Sequence, residues 1–161
     1  MEGDRKWKLL LGEKYNETQP QISPDGNHMA YVSDESGRNE IYVRPIPEVD
    51  KWRKQVSTSG GDTPLWSRDG RELFYRNGDA VMAVSVKRDP AFSLDVPKIL
   101  FRGSYVSLTS GDDSSWDISP DGRRFLMMKE PKPAAAAGGG PRRIQIVLNW
   151  FEELKQRVPA K

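Results

Sequence analysis

Three copies of one short pattern of apolar and polar residues organise this chain. Each copy has an apolar position, then Ser-x-Asp-Gly, two polar positions and an apolar run, with its aspartate at Asp25, Asp69 or Asp121. Glycine permits the positive φ of a tight hairpin turn, so each Asp-Gly is expected to join two antiparallel strands. The spacings of 44 and 52 residues between these aspartates indicate an architecture built by repeating one supersecondary unit.

Further strands are expected after each hairpin. The segment Ile41-Tyr42-Val43 is β-branched and aromatic, and residues 51–57 supply a fourth, more polar strand for the first unit. Four strands in about 44 residues are typical of a β-propeller blade. We therefore predict an all-β propeller with three four-stranded blades, at 19–58, 62–102 and 113–149, the last supplying only three strands of its own.

The two ends of the chain complete this predicted arrangement. Residues 5–11 are strand-like, and we expect them to form an outer strand that completes a blade across the closure of the ring. Residues 150–158 carry apolar side chains at helical spacing, which predicts a short amphipathic helix. The alanine- and glycine-rich stretch at 134–140 is expected to be a loop tip. Residues 1–161 are thus predicted to form one propeller domain.

The repeat residues resemble a known family. Ile22-Ser23-Pro24-Asp25-Gly26, with Glu40-Ile41-Tyr42-Val43, resembles the WD40-like repeats of TolB-type β-propellers, over nearly the whole chain. The ending Ile144 to Lys155 looks like the C-terminal part of bacterial propellers that follow a serine/threonine kinase domain and a membrane span. The resemblance implies a ring of six blades, a sensory role in a kinase-like receptor and an extracytoplasmic or periplasmic location. Because the chain has no kinase glycine-rich loop and no His-Arg-Asp motif, we expect no kinase activity of the chain itself.

Composition narrows the chemistry further. With 25 Lys+Arg against 23 Asp+Glu, the net charge of +2 favours neither nucleic acid nor an anionic membrane as a partner. No cysteine and one histidine exclude disulfides, thiolate metal sites and cysteine nucleophiles, and leave one imidazole for any triad. No apolar run is long enough to cross a bilayer. We therefore expect no enzyme activity, no metal, no cofactor and no membrane insertion of this chain.

The repeated aspartates are interpreted as turn residues rather than as a metal-binding cluster, because a turn aspartate accepts hydrogen bonds from nearby backbone amides. The predicted structural turns are Asp25, Gly26, Asp69, Gly70, Asp121 and Gly122. His28 is expected to be a partly exposed strand residue. The aromatic and apolar residues Ile22, Trp66 and Trp116 are taken to occupy the same place in their repeats, before the turns, and are expected to pack between adjacent blades.

Propellers usually bind ligands at the mouth of the central channel, which the innermost strands line. The candidate ligand-binding residues at this place are Gln19, Gln21, Thr63, Ser115 and Asp117. The sequence predicts a non-catalytic binding or scaffolding module with a protein or peptide ligand. Two alternatives stay open: the propeller lid of a prolyl-oligopeptidase-like hydrolase, and a propeller fragment made to study assembly.

Three blades have too little curvature to close a ring, since propellers typically use about four to eight. An open arc would expose unpaired strand edges and whichever of Ile22, Trp116 and Phe125 face outward there. We therefore predict a C2 homodimer that closes a six-bladed ring, with residues 5–11 of one chain completing the third blade of the other. Higher closed rings, or a complex with the missing half of a longer chain, are the alternatives.

Overall fold

The computed structural model describes residues 9–106, 115–129 and 144–147, and every regular element in these ranges is a β-strand. The prediction of an all-β fold is therefore confirmed for the described chain. The strands are β1 (Glu17–Ile22), β2 (His28–Ser33), β3 (Glu40–Pro45), β4 (Lys54–Gln55), β5 (Asp62–Trp66), β6 (Glu72–Asn77), β7 (Ala80–Lys87), β8 (Ser93–Leu94), β9 (Lys98–Arg102), β10 (Trp116–Ile118), β11 (Phe125–Met128) and β12 (Ile144–Val147). Within these ranges the chain has no helix that is long and apolar enough to span a membrane.

The strands form three antiparallel sheets in chain order. The first sheet is β1-β2-β3-β4, the second is built on β5-β6-β7, and the third is β10-β11-β12. Strand β7 is eight residues long, so its first half pairs with β9 and its end pairs with β8, a short strand that the sequence did not predict. Each sheet begins with a hairpin around one repeat copy.

The chain ends differ from expectation or lie outside the described residues. Residues 9–11, the described end of the expected outer strand 5–11, are not in a strand. Residues 1–8, the insert at 134–140 and the expected helix at 150–158 lie outside the described residues.

The repeated hairpin is held by the same hydrogen bonds in all three sheets. In the second sheet the Ser67 hydroxyl donates to Asp69 Oδ1 over 2.7 Å and accepts from the Glu72 amide over 2.9 Å. Asp69 Oδ1 also accepts from the Arg71 amide over 3.0 Å, and this bond, followed by that from Ser67, lowers the pKa of Asp69. The glycine has φ +64°, a left-handed conformation that other residues adopt with strain. The corresponding bonds join Ser23 to Asp25 and Ser119 to Asp121.

Two hydrophobic cores hold the sheets together. The first lies between the first and second sheets and includes Val32, Ile41, Trp66 and Tyr75, whereas the second lies between the second and third sheets. Within β6, alternate side chains enter different cores: Leu73 and Tyr75 the first, and Phe74 the second. The second sheet is therefore the shared layer.

Of the three residues expected to pack between adjacent sheets, two are buried within the single chain. Trp66 and Trp116 are buried, but Ile22 is 62% exposed because it faces away from the second sheet. The assumed equivalence was also wrong: Trp66 directly precedes its serine, as do Ile22 and Ile118, whereas Trp116 lies two positions earlier in its repeat. Phe125 is fully buried beside Trp116.

A polar cluster covers part of the first sheet's outer face. Arg44 is buried, donates to the Tyr31 hydroxyl over 2.7 Å and forms an ion pair with Glu13 of the N-terminal segment. Leu11 of the same segment packs with Tyr31 and Tyr42. The segment before β1 thus lies against the face where a preceding sheet would pack.

A second polar network is centred on Glu40, whose side chain is fully buried. The carboxylate accepts hydrogen bonds from Arg38 Nε over 2.8 Å, from the Gly60 amide over 2.9 Å and from the Ser57 hydroxyl. Ser57 Oγ in turn accepts from the Ile41 amide over 2.8 Å. Burial, and next the charge of Glu40, raise the pKa of Tyr75 to about 12. The network joins the start of β3 to the connection that leads into the second sheet.

Candidate functional site

Equivalent residues of the three repeats lie near the start of the first strand of each sheet. Gln19, Thr63 and Ser115 each lie four positions before the serine of their repeat. Gln19 and Thr63 have φ values of 53° and 47°, and the strand register shifts at both places. A non-glycine residue in this conformation costs of order 1 kcal/mol and persists where its surroundings hold it. The irregularity turns the backbone at the strand ends that open towards the predicted channel mouth.

Hydrogen bonds connect these strand ends from one sheet to the next. The Thr63 amide donates to Gln19 Oε1 over 2.7 Å, and the Thr63 carbonyl accepts from Trp116 Nε1 over 3.1 Å. Thr63 thus uses both backbone groups to join the three sheets, and its side chain hydroxyl donates to Asp62 Oδ1 over 3.0 Å. Ser115 is buried, and its carbonyl accepts from the Met128 amide over 3.3 Å.

The remaining two predicted ligand-binding residues lie further along their strands. The Gln21 carbonyl accepts from Trp66 Nε1 over 3.0 Å, so its backbone contributes to the interface between the first and second sheets. Asp117 is exposed, between the buried Trp116 and Ile118, and its Oδ1 accepts from the Ile118 amide over 2.7 Å.

Sequence reasoning missed two charged residues at this place, Asp62 and Arg76. They face each other directly across β5 and β6. Arg76 is 2% exposed; its Nη2 donates to the Gly78 carbonyl over 3.0 Å, and its guanidinium carbon lies 5.8 Å from the centre of the Tyr105 ring. Within the described part of the chain, Arg76 Nε and Nη1 are buried without a hydrogen-bond partner. Burial raises the pKa of Asp62, against the opposing effects of the Thr63 hydroxyl and the Arg76 charge.

A comparison of the three repeats in the sequence identifies Arg76 as unusual. Nine positions after the serine, the first repeat has Val32 and the third has Met128, whereas the second has Arg76. A charged residue at a position that is apolar in the other copies is a departure that alignment of the repeats exposes.

A further cluster lies at the opposite, hairpin end of the first two sheets. The His28 ring stacks on Phe92 with 4.4 Å between centroids, and Phe92 stacks on Trp52 at 4.9 Å. Asp25 lies between His28 Nδ1, at 3.8 Å, and Arg88 Nε of the second sheet, at 3.3 Å. Burial lowers the pKa of His28. These contacts join the two sheets, and they place the single imidazole against aromatic rings.

In residues 9–106, 115–129 and 144–147, no three His, Asp or Glu side chains are grouped so that they could hold a metal ion. The repeated aspartates each serve their own hairpin instead.

Among solved structures, the chain is similar to a protein assigned as TolB from Agrobacterium tumefaciens, with a TM-score of 0.55 and 17% sequence identity over 86% of this chain and 47% of that one. It is also similar to oligogalacturonate lyase from Vibrio parahaemolyticus, with a TM-score of 0.51 and 16% identity over 74% of this chain and 31% of that one. The sequence matches no protein-family description and no curated protein. At these identities the likeness shows the fold alone, which is that of a TolB-like β-propeller. The chain spans about half the length of the TolB structure and about a third of the length of the lyase.

Proposed function

We propose that this chain is a non-catalytic binding or scaffolding module that forms three blades of a six-bladed propeller. The observation that carries the proposal is the burial of equivalent repeat positions. The residue before the repeat serine is 6% exposed at Trp66 and 8% at Ile118, where a preceding sheet packs against it, but 62% exposed at Ile22. Seven positions after the serine, Ala30 and Phe74 are buried, whereas Leu126 is 42% exposed.

Both exposed positions lie at the ends of the array, on the faces where the next blade would pack. Exposed apolar faces of this kind favour association. The preferred partner is a second copy of the chain, because two copies with isologous symmetry would bring each first sheet against the other third sheet and double three blades to six. The missing half of a longer protein is the alternative partner.

Light scattering on the purified chain tests this arrangement. We expect twice the monomer mass of 18.2 kDa, and we expect Ile22→Asp and Leu126→Asp to shift the species towards the monomer. Val96→Asp is the matched control, because Val96 is 79% exposed but lies outside the repeated inner strands. A well-folded monomer, or a dimer that both end-face variants leave intact, contradicts ring closure by a second copy.

The non-catalytic role is supported by the inventory of side chains. The chain has no cysteine, and its one histidine stacks on Phe92 beside Trp52. The sensory role in a kinase-like receptor and the extracytoplasmic location are supported by the sequence resemblance. A screen with peptidase and esterase substrates tests the hydrolase-lid alternative: turnover abolished by changing one serine would overturn the proposal.

A further inference from the structure

We propose that Arg76, which lies opposite Asp62 of the inner strand that also carries Thr63, binds a carboxylate group of a ligand. The inference names the chemistry of the ligand and rests on the binding role proposed above. It does not depend on ring closure, because all three residues belong to the second sheet.

The repeats show that the fold does not need a charge at this position. Val32 occupies the equivalent place in the first sheet and packs in the first core, and Met128 occupies it in the third sheet. Both are apolar, so the position accepts a side chain without polar atoms. The arginine is therefore a feature of the second repeat and not of the fold.

The arginine is also incompletely paired. Of its donors, Nη2 reaches the Gly78 carbonyl, while Nε and Nη1 are buried without a partner among the described residues. Asp62 lies directly opposite, yet its Oδ1 accepts from the Thr63 hydroxyl, and no described carboxylate lies within ion-pair distance of Arg76. Leaving a buried charged group unpaired is strongly unfavourable, so an acceptor from a ligand would relieve a penalty that the fold carries.

Geometry and charge select a carboxylate as that acceptor. A guanidinium is planar, and its N–H donors match the oxygens of a carboxylate. The Asp62 carboxylate on the facing strand disfavours a ligand group of higher negative charge, such as a phosphate dianion. The Tyr105 ring, whose centre lies 5.8 Å from the guanidinium carbon of Arg76, makes the surroundings of the arginine apolar on that side.

Arg76→Met is the decisive variant because it installs the residue that the third repeat has at this position. If Arg76 serves a ligand, the variant unfolds in urea at the same denaturant concentration as the parent chain or at a higher one. If Arg76 instead neutralises an acid within the fold, the variant is less stable, and that result overturns the proposal.

Binding is measured by calorimetry with three carboxylate probes that separate the possible sources. N-acetyl-triglycine carries a C-terminal carboxylate, and N-acetyl-aspartate amide carries an acidic side chain. Acetate is a carboxylate without a peptide or a side chain, and N-acetyl-triglycine amide is the uncharged control. We expect at least one carboxylate probe to bind the parent chain, and Arg76→Met to weaken that binding by about 10- to 100-fold, the equivalent of one charge-assisted hydrogen bond. Arg71→Met, which removes an 83% exposed arginine from the same sheet, should leave it unchanged.

The proposal is overturned if none of the three acids binds, or if the uncharged amide binds as tightly as N-acetyl-triglycine. It is also overturned if Arg71→Met weakens binding as much as Arg76→Met does. Light scattering on the same samples separates this result from ring closure. A monomer that binds the probe refutes only the dimer, and a dimer that does not bind refutes only the carboxylate subsite.

Discussion

Replacing Glu40 by alanine tests how much a fully buried carboxylate contributes to the stability of this fold. The change leaves the Ser57 hydroxyl and the Gly60 amide without their acceptor, while Arg38, whose side chain is 62% exposed, returns to water. A buried unsatisfied donor costs about 1–3 kcal/mol, so the buried Ser57 hydroxyl and the half-buried Gly60 amide together lower the free energy of unfolding by up to about 6 kcal/mol. Since domains are typically stable by only about 5–15 kcal/mol, the loss should be large enough to measure easily.

Urea unfolding followed by tryptophan fluorescence gives the change in free energy. Arg102→Ala is the control, and it should lose less than about 1 kcal/mol because both side chains of its ion pair with Asp79 are exposed. Glu40→Gln keeps the shape but removes the charge, so it should also lower the pKa of Tyr75 from about 12, as ultraviolet titration can show. A Glu40→Ala loss no larger than that of Arg102→Ala would refute the reasoning that the buried partners determine the energy.

Three further predictions concern other sites. Ser67→Ala should lower the free energy of unfolding by about 1–2 kcal/mol and raise the pKa of Asp69, seen by urea titration and by NMR, because the hydroxyl donates to that carboxylate. Because burial holds the folded pKa of His28 below 6.5, the fold favours the neutral ring. The contribution of His28 to the free energy of unfolding is therefore complete above pH 6.5 and is lost as the pH falls through the folded pKa. His28→Phe should remove this dependence from urea midpoints measured between about pH 5 and 7.5, and an unchanged profile would contradict the prediction. Asp62→Asn should raise the urea midpoint at pH 7, because burial disfavours the ionised carboxylate and raises its pKa; a lower midpoint would mean that the charge stabilises the fold.

The repeat was sufficient to predict the local structure of the hairpins. Glycine at the turn, serine and aspartate before it and alternating apolar residues after it are all short-range signals, and the three hairpins form around them. Weakly apolar strands were harder to predict: the fourth strand expected at 51–57 is only Lys54–Gln55. Its partner β3 provides the pairing, so the propensity of the segment itself carried little information.

The candidate site was predicted only in part, because fold position suggested Thr63 and Gln19 but not what they contact. The left-handed backbone at both residues depends on tertiary hydrogen bonds that no local pattern encodes. Arg76 was missed because it was considered as part of a strand and not against its repeat equivalents. Ile22 is exposed in the single chain because equivalence of sequence does not supply a neighbouring sheet at the end of an array.

The two separate cores, which share only the second sheet, make this molecule a short linear array in energetic respects. Each sheet is stabilised by its immediate neighbour, so the free energy can be written as one contribution per sheet and one per interface, as in a nearest-neighbour chain. Melting is then expected to start at a terminal sheet and to advance inwards as a boundary. Trp66 and Trp116 each anchor their indole on a backbone carbonyl of the preceding sheet, so each fluorophore reports the passage of that boundary across a different interface.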